Sequence, residues 1–136
     1  MTLVLDCSVA LSWCFEDEAS PKTDAILLDV AKNGGWVPQL WHLEVSNSLL
    51  QGVKRKRLSL ADVAEKFMLL TKLPLYIDAE TAQQAFDKTY QLANHEHLSA
   101  YDAAYLELAI RKQIPLATKD ESLAAAAKRN KVRLSL

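Results

Sequence analysis

The sequence predicts an α/β protein with a parallel sheet and helices on both faces. Short apolar runs, several ending in an acid, alternate with longer segments of helical periodicity along the whole chain. No strand–turn–strand signal lies between consecutive runs, which argues against antiparallel hairpins. At 136 residues, 50% hydrophobic and 24% charged, the chain is sized and composed as one ordinary globular domain, residues 1–136.

The elements follow in order. "TLVLD" is a short apolar run closed by Asp6 and reads as a buried strand. In "SPKTDAILLDVAKNGG", Ser20 is a helix cap, Pro21 the first helical residue, and Gly34-Gly35 the stop. "WVPQLWHLEVSNSLLQGVKRKRL" is a brief strand, then Pro38, then a helix. "SLADVAEKFMLLTKL" opens on Ser59 and carries apolar residues at helical spacing. "PLYID" is another strand and "AETAQQAFDKTYQLANHEH" one helix. "HLSAYDAAYLELAI" is a helix with so little polar face that it should be sandwiched. "IPLATKD" is a strand after Pro115, "ESLAAAAKRNK" a helix, and "VRLSL" a last strand.

Composition removes several function classes. No apolar run approaches a bilayer span, so no membrane segment is expected. The N-terminus lacks a basic region and meets acids early, unlike a secretory signal, which points to the cytoplasm. If the segment between Cys7 and Cys14 is helical, its ends lie about 10 Å apart, too far for a disulfide, and free buried thiols are expected. His95 and His97 read as solvent-facing rather than as a zinc pair. The glycines are Gly34, Gly35 and Gly52, so neither the dinucleotide nor the P-loop signature exists. No GxSxG is present, and Ser8 stands where a DxD phosphotransferase would need a second acid.

The acids carry more information. Net charge is −1, but setting four acids aside leaves 13 against 16 bases. Eight of those bases sit in "KRKR", 54–57, and "KRNKVR", 128–133. Such clusters either steer polyanions or simply favour helix ends. Ligands of open α/β sheets bind beyond the carboxyl ends of the strands. Asp6, Asp78 and Asp120 end strands, Asp102 lies in the first turn of the near-apolar helix, and Glu44 begins another helix with Asn47 one turn on. Ordinary roles exist for most. Ser99 with Asp102, and Thr118 with Glu121, fit capping boxes; Asp120 and Asp78 suit N-caps; Glu44, Ser48 and Gln51 share one helix face. Asp6 is the hardest to explain structurally, because a carboxylate at the mouth of a buried strand is costly unless paired or metal-bound. Converging carboxylates suit hard divalent cations, and phosphodiester hydrolysis is the natural chemistry.

"LVLDCSVALSW", "PQLWHLEVSNSLL", "LSAYDAAYLELA" and "PLATKDESL" together resemble the four acidic motifs of PIN domains, closest to the short VapC-type toxins of bacterial toxin–antitoxin pairs. The resemblance implies a three-layer α/β/α sandwich with a central parallel sheet, and a Mg²⁺- or Mn²⁺-dependent endoribonuclease. It implies that Asp6 and Asp102 are the main metal ligands. Glu44 would act mostly through metal-bound water, and Asp120 would complete both the pocket and the metal set. Ser8, Asn47 and Thr118 would be supporting polar residues. Asp78 matches no catalytic motif and stays a cap. A homodimer and a cognate VapB-type antitoxin are implied partners, beside the RNA substrate. Trp13, Phe15, Trp36 and Trp41 could line a groove for an antitoxin helix, or at least two of them could be core. The alternatives are a PIN-like scaffold that binds RNA or protein without cutting, and a receiver-type phosphoacceptor, against which Asp6 stands without a paired acid.

Overall fold

The computed structural model describes residues 2–136. Its strands are β1 (Val4–Leu5), β2 (Gly35–Val37), β3 (Leu75–Ile77) and β4 (Leu116–Ala117). They form one parallel sheet in the order β3-β2-β1-β4, with Val4 beside both Trp36 and Leu116, and Trp36 beside Tyr76. The helices are α1 (Cys7–Ser12), α2 (Pro21–Asn33), α3 (Trp41–Lys54), α4 (Leu60–Thr71), α5 (Thr81–Ala85), α6 (Lys88–Glu96), α7 (Ala100–Lys112) and α8 (Glu121–Arg129). This is the three-layer α/β/α arrangement expected from the sequence.

Local chemistry sets the helix ends. Ser20 with Thr23, and Ser59 with Asp62, form full capping boxes at α2 and α4. Gly34 stops α2 at φ +81°, where an added Cβ would meet Pro74 O and the Tyr76 ring at 2.9 Å. Leu3, Val4 and Leu5 are buried at the centre of the core. The near-apolar helix is α7: Ala103 to Ala109 are all buried, because α7 packs on β1 and β4 and is covered by α5, α6 and α8. Cys7 and Cys14 are buried free thiols. Among the described residues no helix is long and apolar enough to cross a membrane.

Three expectations need correction. The segment 79–97 is two helices, not one: the chain breaks at Phe86 and Asp87, letting α5 and α6 pack separately against α7. The last strand reduces to a single parallel bridge, Leu116 to Leu134. The expectation that at least two of the four aromatics are core holds: Trp41 and Phe15 are 2% and 5% exposed, while Trp13 and Trp36 are partly buried. Asp78 is not the N-cap of α5, a position that Glu80 holds. It accepts from Glu80 N–H and the Thr81 hydroxyl, but it also takes two hydrogen bonds from Arg111 at 2.7 and 3.0 Å. Arg111 also holds buried Glu107 at 2.8 Å and Glu80 at 3.1 Å. Burial works against ionising Asp78, yet these partners together hold its carboxyl below the usual range.

Candidate active site

Parallel pairing puts the carboxyl ends of all four strands on one edge, and the helices that follow begin there. Asp6 leaves β1 and is the N-cap of α1, but its side chain caps nothing. Instead its Oδ2 accepts from Ser8 Oγ at 2.5 Å and from Thr118 Oγ1 at 2.7 Å. Ser8 Oγ in turn accepts Lys119 N–H at 2.9 Å, and Thr118 Oγ1 accepts Asp120 N–H at 3.0 Å. The relay ties the end of β1 to the end of β4, whose backbones also meet through Asp6 N–H and Ala117 O. It fixes the plane of the Asp6 carboxylate and leaves Oδ1 without a hydroxyl partner. Thr118 and Glu121 therefore form no capping box; Thr118 is turned to Asp6 instead.

Asp120 caps α8, its Oδ1 accepting Leu123 N–H at 2.8 Å. Ser99 caps α7 by accepting Asp102 N–H at 3.1 Å. The return hydrogen bond of a full box, from Ser99 N–H to the Asp102 carboxylate, is not formed. The cap thus positions Asp102, and its contact with the Ser99 side chain opposes the upward shift of the carboxyl only in part. Glu44, in the first turn of α3, accepts the Tyr105 hydroxyl. Tyr105 was not singled out from the sequence. The available signal was its place one turn after Asp102, the one aromatic with a polar tip on the buried face of that helix. Asn47 is exposed and makes no hydrogen bond to any of the acids, so the structure does not join it to them.

The four acids feel one another. Burial is the main reason the Asp6 carboxyl lies above its ordinary value; the Ser8 and Thr118 bonds oppose this and the Asp120 charge adds to it. Glu44 is raised by burial, then by the charges of Asp6 and Asp102, against the Tyr105 hydrogen bond. Asp102 is raised by burial, then by Asp6 and Asp120. None of the four has an ion-pair partner among the described residues. Lys119, the residue before Asp120, directs its ammonium to Glu18 O at 3.3 Å. Cys7 is no nucleophile here: burial, then the charges of Glu44 and Asp6, push its thiol up.

An unneutralised cluster of hard oxygen donors is the donor set of a divalent cation. No three His, Cys, Asp or Glu side chains among the described residues are grouped closely enough to hold a metal ion together. Mg²⁺ keeps several waters and needs only one or two direct carboxylates. By donor chemistry the residues fit such an ion.

The PIN domain profile matches residues 3–129, nearly the whole chain. The chain belongs to the PIN domain family. PIN domains are generally nucleases and usually use divalent metal ions. The fold is also similar to that in the crystal structure of PAE2754 from Pyrobaculum aerophilum, at TM-score 0.69 and 19% identity, over 93% of this chain and 87% of that one. At that identity the likeness speaks to the fold alone. No curated protein gives a significant sequence match. In this PIN domain, Asp6 and Asp120 lie at the carboxyl ends of the paired strands β1 and β4.

Proposed function

We propose that this PIN domain is a Mg²⁺- or Mn²⁺-dependent endoribonuclease, the toxin of a toxin–antitoxin pair, acting in the cytoplasm. The observation that carries the reading is that the Asp6, Glu44 and Asp102 carboxyls are raised by burial and by neighbouring acids, Asp120 among them, and that none of the four has an ion-pair partner among the described residues. Such a set is unfavourable in the metal-free protein, and function is the reason to keep it. Asp6 and Asp102 would hold the ion, with Asp120 beside them. When bound, the ion lowers the pKa of an attacking water and stabilises charge building at phosphorus. Ser8 and Thr118 keep the Asp6 carboxylate in one orientation. Tyr105 holds Glu44 by its hydroxyl, which leaves the other Glu44 oxygen to orient water or accept a proton.

A homodimer and a VapB-type antitoxin belong to the same proposal. In support of protein partners, Leu60, Phe67 and Met68 fall at helical spacing on α4 and are 78%, 39% and 62% exposed. The test is cleavage of a mixed RNA pool with and without Mn²⁺, comparing the chain with Asp6→Asn. Metal-dependent cleavage lost in the variant, together with a small antitoxin reading frame beside the gene, supports the proposal. RNA left intact at every metal concentration would favour the non-cleaving scaffold.

A further inference from the structure

The acid site leaves one polar feature of α3 unexplained. Glu44, Asn47, Ser48, Gln51 and Arg55 recur at helical spacing and form a stripe along one side of α3. Beyond Glu44, its members line a groove of about 280 Å³ whose opposite wall is Leu11 and Phe15. Gly52 lets that wall lie close, since a Cβ there would meet the Phe15 ring at 2.9 Å. The stripe runs from the acid site to Arg55, eleven residues or about 16 Å along the helix.

The basic run 54–57 divides at this groove. Arg57 is committed to structure: it bonds Asp17 at 2.9 Å and Glu18 at 3.2 Å and lies over the Phe15 ring at 4.0 Å. Glu18, the acid of the groove, is held by that Arg57 contact and by Lys119 at 4.0 Å. Arg55 lines the groove, is exposed, and makes no ion pair among the described residues.

We propose that Arg55, with the Gln51 and Asn47 amides, holds a backbone phosphate of single-stranded RNA, so that the α3 groove leads the strand to the Asp6–Asp102 pocket. The inference rests on the nuclease reading and deepens it. A carboxylate pocket repels a polyanion, so the strand needs its cation some distance from the scissile bond. An arginine fork beside two amides meets a phosphate with several N–H donors. Arg55 is a positioning residue and touches no reacting atom.

The experiment is fluorescence anisotropy of a labelled single-stranded RNA in EDTA, titrated between about 50 and 200 mM salt. Arg55→Ala should weaken binding about two- to fivefold at low salt, the worth of one exposed charge contact. It should also flatten the slope of log affinity against log salt by about 0.7, one phosphate contact to a single strand. Arg55→Lys should keep the slope. Lys32→Ala, in the last turn of α2 and outside the groove's lining, should change neither. In cleavage with Mn²⁺, Arg55→Ala should raise KM and leave kcat unchanged. An unchanged slope in Arg55→Ala, no RNA binding by the parent chain, or an equal loss in Lys32→Ala overturns the inference. The binding arm requires no cleavage. A chain that cuts RNA with Arg55→Ala unaffected therefore sinks the groove alone, and one that binds through Arg55 but never cuts sinks the nuclease reading.

Discussion

Replacing Asp6 by asparagine removes a charge while sparing the hydrogen bonds. The amide oxygen can take the place of Oδ2 and still accept from Ser8 Oγ and Thr118 Oγ1. The amide nitrogen then replaces Oδ1, on the side with no hydroxyl partner. A like charge about 10 Å away costs about 1.7 kcal/mol at an effective dielectric near 20, and Glu44, Asp102 and Asp120 all act within the same pocket. Exchanging two charge-assisted hydrogen bonds for neutral ones gives back about 1 to 2 kcal/mol. Because burial and the neighbouring charges already outweigh the hydrogen bonds at Asp6, the balance favours the neutral side chain. Metal-free Asp6→Asn should gain about 1 kcal/mol, or about 3 to 5 °C in Tm for a chain of this size. The pH dependence has a definite sign. The Asp6, Glu44 and Asp102 carboxyls are raised above their ordinary values of 3.8, 4.5 and 3.8. Above those values the folded chain holds more protons than the unfolded one, so stability is full on the acid side and falls as pH rises through the raised values. Asp78, held low by Arg111, works oppositely and withdraws stability only as pH drops below 3.8. The assay is thermal melting in EDTA across pH. The parent chain should lose stability toward neutrality, and Asp6→Asn should lose less and melt higher there. A variant that instead loses more than about 2 kcal/mol at neutral pH would refute the reasoning, because Asp6 would then be held by its hydrogen bonds as an anion.

Adding Mg²⁺ or Mn²⁺ to EDTA-stripped chain should raise Tm, by about 2.7 kcal/mol at a hundredfold excess over Kd, and the gain should shrink in Asp6→Asn; calorimetry reads both. In single-turnover cleavage with Mn²⁺, Asp6→Ala/Asp102→Ala should be about as slow as the worse single variant, since ligands of one ion act as a unit; multiplicative losses would separate the two acids. Tyr105→Phe should cost about 1 kcal/mol in denaturant titrations. It should also move the Glu44 carboxyl further up, shifting the acid limb of the pH–rate profile to higher pH, because the lost hydroxyl favoured the charged form. Arg111→Ala should cost about 3 to 5 kcal/mol by stranding buried Asp78 and Glu107, while the folded fraction cleaves at a normal rate. For the same reason Asp78→Asn and Glu107→Gln are poor activity controls; exposed Asp24→Asn serves better.

The alternation of strands and helices, the caps at Ser20, Ser59 and Ser99, and the parallel sheet were all legible in the order of the amino acids. These follow from periodicity and local hydrogen bonding, which act over a few residues. The resemblance of four short motifs to PIN domains marked Asp6, Glu44, Asp102 and Asp120, although all but Asp6 also had ordinary roles as caps or helix-face residues. What those acids share was out of its reach. That Thr118 serves Asp6, 112 positions away, rather than a capping box with Glu121, depends on β1 and β4 lying side by side. That Tyr105 serves Glu44 depends on α7 and α3 meeting at one edge. Asp78 and Glu107 read as a cap and a plain helix position until packing buried both against Arg111. The helix break at Phe86 and the core positions of Trp41 and Phe15 were tertiary decisions as well. Local propensity is weak, and the choice of which apolar face to bury is made by the partners that a fold brings together.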